Sequence, residues 1–144
     1  MGQKVKDTTV IRATPAAVYA VIVDLAAYPQ WADGVQSVEV LSSQDDGLPH
    51  RAAFRADARV AEIGYTLEYT HDQPSRVSWT LVEGDMVSQL DGVYGLEQVG
   101  DTTRVHYSLE ADLSLPLPGF MLKRGAKAIL QQGLSGLKAR VEGA

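Results

Sequence analysis

From residue 35 to residue 113, apolar and polar side chains alternate with a period of two, and turn residues break the alternation at short intervals. Strands are expected over 35–41, 51–60, 63–70, 77–82, 86–97 and 105–113. Phe54, Ala56, Ala58 and Val60 alternate with Arg55, Asp57 and Arg59. Ile63, Tyr65, Leu67 and Tyr69 alternate with Gly64, Thr66, Glu68 and Thr70. Further along, Val77, Trp79 and Leu81 share one face, as do Ser88, Leu90, Gly92, Tyr94 and Leu96. Val105, Tyr107, Leu109, Ala111 and Leu113 share another. Asp46-Gly47, the Pro74 segment, Gly84-Asp85 and Gly100-Asp101 supply the turns, the last fitting a type II′ hairpin with glycine at its first central position. Alternation on nearly every strand means one wet face and one covered face, the mark of an antiparallel sheet.

The two ends of the chain read differently. Residues 3–12 form one more strand. Thr14-Pro15 then pairs a capping residue with proline at the first helical position, and a short helix runs to Val23. Asp24 can cap a second short turn, 25–28, which Pro29 closes. At the C-terminal end the period becomes 3.6 over 118–141. Leu122, Ala126, Ile129, Leu130, Gly133, Leu134, Leu137 and Val141 fall on one side, and Arg124, Lys127, Gln131, Gln132, Ser135, Lys138 and Glu142 on the other. Gly133 stands where an apolar side chain belongs. It implies either close packing of helix on sheet or room for something else against the helix. The expected class is α+β: a curved antiparallel sheet of about seven strands wraps a long C-terminal helix, with two short helices after the first strand. One domain, 1–144, accounts for the whole pattern.

Composition narrows the function. A net charge of −5 without a local basic stripe argues against a nucleic-acid footprint. The chain has no cysteine, which removes disulfides, thiol nucleophiles and thiolate metal sites and fits a reducing compartment. No apolar run approaches the ~20 residues of a membrane span, the N-terminus has no apolar signal core, and Lys6 spoils a myristoylation pattern. A cytoplasmic protein without stable membrane anchoring is expected; the pattern leaves its oligomeric state open.

Four of the six tyrosines and one of the two tryptophans fall on the covered face. A buried hydroxyl or indole N–H needs a partner, at a cost of about 1–3 kcal/mol if it has none. An apolar wall with scattered hydroxyls is what a small-molecule cavity presents. The candidate ligand-binding residues are Phe54, Tyr65, Tyr69, Trp79, Tyr94 and Tyr107 from the sheet, with Ile129 and Gly133 from the helix. Catalytic signals are sparse. Gly133-Leu134-Ser135-Gly136 lacks both the spacing and the preceding strand of a nucleophile elbow. His50, His71 and His106 lie far apart, without metal-ligand spacing. Arg51, Arg55 and Arg59 alternate onto the solvent face, although a one-residue register shift would turn all three inward as anion binders. No catalytic residue, metal or cofactor is expected.

Thr14-Pro15-Ala16-Ala17-Val18-Tyr19 running into Asp24-Leu25-Ala26-Ala27-Tyr28-Pro29-Gln30-Trp31 resembles the START-like helix-grip superfamily, in particular its polyketide cyclase/dehydrase and coenzyme Q-binding-like members. Asp91-Gly92-Val93-Tyr94, Thr103-Arg104-Val105-His106-Tyr107 and Leu115-Pro116-Leu117-Pro118-Gly119-Phe120 carry the same resemblance. It implies a seven-stranded sheet gripping the last helix around a cavity. It also implies a hydrophobic or amphiphilic ligand such as a lipid, quinone or polyketide-like molecule; with the arginines facing outward, binding or carriage without chemistry is expected. The alternative is a cyclase or aromatase working in the same cavity.

Overall fold

Thr14, three residues past the first strand, starts the first helix. Its hydroxyl accepts the Ala17 N–H at 3.2 Å, and Pro15 sits in the first turn, where its missing N–H costs nothing. The computed structural model describes residues 2–32, 34–57, 62–114 and 117–143. Around this junction run strand β1 (Gln3–Ile11), helix α1 (Pro15–Val23), a 3-10 turn (Leu25–Ala27) and the single-turn helix α2 (Tyr28–Trp31). Six strands follow: β2 (Val35–Ser43), β3 (Pro49–Asp57), β4 (Glu62–Asp72), β5 (Arg76–Gly84), β6 (Val87–Val99) and β7 (Thr102–Leu113). Helix α3 (Gly119–Glu142) closes the chain.

The strands form one antiparallel sheet in the order β1-β7-β6-β5-β4-β3-β2. Consecutive strands are neighbours from β2 to β7, as hairpin connections dictate, and β1 returns to lie beside β7. The Gly100-Asp101 turn behaves as its sequence requires. Val99 pairs with Thr102, and Gly100 takes φ +60, a region closed to most side chains.

Helix α3 lies mainly over β1 and β7 and buries Ala126, Leu130, Leu134 and Leu137 against the sheet. Its long cations also reach β1, whose outer side has no strand partner. Lys127 Nζ donates to the Lys6 carbonyl at 2.8 Å, and Lys138 Nζ donates to the Val10 carbonyl. Glu142 accepts the Arg12 N–H at 3.0 Å and pairs with Lys138.

Four expectations change. Ile129 exposes 51 % of its surface, because it lies at the rim of the stripe that Leu130 and Leu134 centre, so it is not part of the interior wall. Asp24 makes no side-chain cap, and Pro29 opens α2 instead of closing a turn, since a first-turn proline loses no hydrogen bond. A register shift between Val87 and Gln89 buries Val87 and sends Ser88 outward. The 51–60 strand is described to Asp57; Ala58, Arg59 and Val60 lie outside the described residues, as do Leu115 and Pro116.

Candidate functional site

The covered face of the sheet carries a row of aromatic rings, and strand register builds it. Phe54 of β3 is paired with Tyr65 of β4, Tyr69 of β4 with Trp79 of β5, and Tyr94 of β6 with Tyr107 of β7. Partners on one face of an antiparallel pair lie close enough for their side chains to touch, and these do. Ring centroids stand 5.3 Å apart for Phe54–Tyr65, 5.9 Å for Tyr69–Trp79 and 4.3 Å for Tyr94–Tyr107. Trp79 joins the segments, 5.5 Å from Tyr94 and 5.9 Å from Tyr107. Tyr28 of α2 extends the row on the Phe54 side, at 6.3 Å, and Trp31 packs on Tyr28 at 4.9 Å.

Alternation therefore placed six candidates correctly on the inner face. Phe54, Tyr69, Trp79, Tyr94 and Tyr107 are buried, and Tyr65 is partly so. Gly133 completes the group from α3. A β-carbon there would stand 3.3 Å from the Tyr107 ring and 3.8 Å from the Tyr94 hydroxyl, so the missing side chain is what lets the helix lie against these two phenols. Gly136 serves Trp31 likewise, with the Trp31 carbonyl 3.1 Å from its would-be β-carbon.

The hydroxyls converge. Burial pushes the phenols of Tyr28, Tyr69, Tyr94 and Tyr107 well above their ordinary value, and each lies near enough to other phenols of the group to be shifted by them. Burial alone lifts Tyr65 to about 12. All five are neutral at physiological pH and act as hydrogen-bonding groups. Tyr28 donates to the Ile22 carbonyl, and the Tyr94 and Tyr107 phenols lie close enough to perturb each other. The hydroxyls of Tyr65 and Tyr69 have no hydrogen-bond partner among the described residues. Nor are they among the sealed, unpartnered polar atoms of those residues, where Trp31 Nε1 stands alone.

The charged groups stand elsewhere. Arg51 and Arg55 are on the solvent face, paired with Glu68 at 3.4 Å and Glu62 at 3.1 Å. His50 meets Glu68 at 3.1 Å and His106 meets Glu97 at 3.3 Å, surface pairs that sequence spacing does not reveal. His71 is the imidazole of the inner side, and both its nitrogens are engaged. Nε2 donates to the Pro49 carbonyl at 2.7 Å, which can only accept, so in the neutral ring Nδ1 accepts the Tyr19 hydroxyl at 2.6 Å. This is a clasp between α1, β3 and β4. No group of three or more metal-ligating side chains occurs among the described residues.

The sheet also opens between β5 and β6. These strands pair only from Arg76–Gly95 to Trp79–Gly92; beyond that β5 follows β4 and β6 follows β7. Asp91 bridges the fork, accepting the Leu81 N–H and the Gln89 amide, each at 3.2 Å. A cleft of ≈ 620 Å³ lies there, lined by Thr80, Leu81, Ser88, Gln89, Asp91 and Asp112 among others.

Residues 2–142 match the family described as polyketide cyclase / dehydrase and lipid transport. No curated protein matches the chain. Among solved structures, a START superfamily protein from Mycobacterium smegmatis superposes with a TM-score of 0.91 at 23% identity, covering 99% of each chain. A protein from Thermus thermophilus gives 0.80 at 25% identity over 96% of each chain. The Zhui aromatase/cyclase from Streptomyces sp. R1128 gives 0.82 at 13% identity, over 99% of this chain and 94% of its own. No helix among the described residues is long and apolar enough to cross a membrane.

Proposed function

The chain belongs to the polyketide cyclase/dehydrase and lipid transport family, and from that premise we propose that it binds an apolar small molecule whose polar end is neutral and accepts hydrogen bonds. The molecule would lie against the ring row, with Phe54, Tyr65, Tyr69, Trp79, Tyr94, Tyr107 and Gly133 as its contacts. The observation that carries this reading is the pair of phenols without a hydrogen-bond partner among the described residues, Tyr65 and Tyr69, in a wall of aromatic and aliphatic side chains. Phenol donors without an internal acceptor suit a carbonyl or ether oxygen. A carboxylate would need a cation, and none stands in the wall among the described residues.

Binding is favoured over a cyclase reaction by the same wall. Proton transfer in a cyclase needs a group whose pKa lies near the working pH. The perturbations of Tyr65, Tyr69, Tyr94 and Tyr107 come from burial, from one another and from Tyr28, with no carboxylate or cation among them. His71 has both nitrogens occupied.

The test is a titration with decylubiquinone, followed by quenching of tryptophan fluorescence, since Trp79 lies in the row. Saturable quenching by the quinone, with decyltrimethylammonium ineffective, supports the reading. Equal response to both probes, or to neither, overturns it. Native mass spectrometry of gently prepared protein gives an independent check, because a carrier should retain co-purified ligand.

A further inference from the structure

We propose that the face made by the start of α3 and the free edge of β1 docks reversibly on an anionic lipid bilayer. Lys4 and Lys6 of β1 and Lys123, Arg124 and Lys127 of α3 line one groove of ≈ 510 Å³, together with Val5 and Phe120. Five cations thus share one groove on a chain whose net charge is −5, so the rest of the chain is more acidic still. Lys127 is held by Asp7 at 3.6 Å and by the Lys6 carbonyl. Lys4, Lys6, Lys123 and Arg124 have no ion pair among the described residues and are exposed.

Beside these cations two large apolar side chains stand in solvent, Phe120 at 65% and Met121 at 45% exposure. They occupy the first turn of an amphipathic helix, directly after Pro118 and Gly119. Cations draw such a turn to anionic headgroups, and an aromatic and a thioether side chain can enter the acyl boundary beside them. The acidic remainder of the surface is repelled from the same headgroups, which fixes the orientation of approach. An electrostatic attraction of this kind is reversible and sensitive to salt. The proposal concerns the outer surface and goes beyond the binding of an interior ligand.

Co-sedimentation of the full chain with vesicles tests it. The vesicles are phosphatidylcholine alone, or phosphatidylcholine with phosphatidylglycerol, at low and at high salt. Binding is expected only to the phosphatidylglycerol vesicles and weakens at high salt. With about a fivefold effect per cation near the surface, the double variant Lys123→Glu, Arg124→Glu binds at least ~20-fold more weakly. Phe120→Ser weakens binding about fivefold or more, at the scale of one buried aromatic side chain. Both variants change exposed positions and keep the wild-type circular dichroism spectrum. Absence of binding at low salt overturns the proposal, as does equal binding to phosphatidylcholine or an unaffected double variant. Release from vesicles by soluble glycerol phosphate would make the groove a small-anion site, and retention on polyglutamate but not on vesicles would give it to an acidic protein; either result overturns the bilayer assignment. The double variant should still be quenched by decylubiquinone, so failure at the vesicle and failure of the interior ligand reading are separate results.

Discussion

The indole of Trp79 rests on the backbone of Gly92, its Cζ2 atom 2.2 Å from the place a β-carbon would take. The two residues are register partners at the last rung before β5 and β6 part. Trp79 is also the ring that Tyr69, Tyr94 and Tyr107 all meet. Gly92→Ala must therefore move an indole hemmed in on three sides. Overpacking of this kind costs about 1–3 kcal/mol. The urea midpoint should fall accordingly, and the near-ultraviolet circular dichroism of the aromatic row should change.

Tyr65→Phe and Tyr69→Phe separate binding from stability. Neither hydroxyl makes a hydrogen bond among the described residues, so its removal should shift unfolding free energy by less than about 0.5 kcal/mol. Decylubiquinone affinity should fall by about two- to tenfold in each variant, the worth of one hydrogen bond. Tyr107→Phe is the contrast, since it removes the phenol that stands beside Tyr94 and against Gly133. Denaturant curves measured beside fluorescence titrations decide between these outcomes.

Every tyrosine of the chain is held above the ordinary phenol value by burial. Tyr19 and Tyr65 are pushed up to about 12, and Tyr28, Tyr69, Tyr94 and Tyr107 rise well above 10. The unfolded chain ionises near pH 10 while the folded one keeps its protons, so the unfolded state binds fewer protons in that window. Stability is thus complete below pH 10 and is lost as pH climbs through 12. Absorbance at 295 nm should stay flat past pH 10, then rise in one step together with loss of circular dichroism. A smooth titration centred near pH 10 in a folded chain would contradict this account.

Glu142 fastens the end of α3 to the chain leaving β1. The Arg12 N–H, then Lys138, holds its carboxylate below the usual range. The folded value is the lower one, so this contribution is present above the unfolded value and fades as pH falls through the folded one. Glu142→Ala should speed hydrogen exchange at the Arg12 amide several-fold at neutral pH, and the difference from wild type should shrink as pH falls through the folded value.

Strand faces could be read from the chain because their period is two, and a one-residue error would have put every arginine of β3 indoors. Phe54 inward and Arg55 outward settled β3 at once. The helix rim was less legible. Ile129 sits beside the inward Leu130, and one step on a helix turns about 100°, enough to carry a side chain from wall to solvent. Relationships across long separations left no local trace. Tyr19 and His71 are 52 residues apart, and Lys4 and Lys6 reach the cations of α3 only once the sheet is built. The fork between β5 and β6 was hidden because both strands alternate normally while pairing with different neighbours. Trp31 was visible as an aromatic residue, but only the fold shows it seated on Gly136.

The sheet never closes, so β1 and β2 each present backbone groups that another copy could use as a template. The two margins are guarded by different means. At β1, lysines from α3 occupy the carbonyls of Lys6 and Val10, while β2 is broken by three register shifts against β3, between Val35 and Ser42-Ser43. Shortening or acetylating Lys127 and Lys138 would strip the first guard and leave the second intact. Strand-to-strand polymerisation would then begin at the N-terminal strand, beside the long helix, and not at the margin that carries Val40 and Leu41 in solvent.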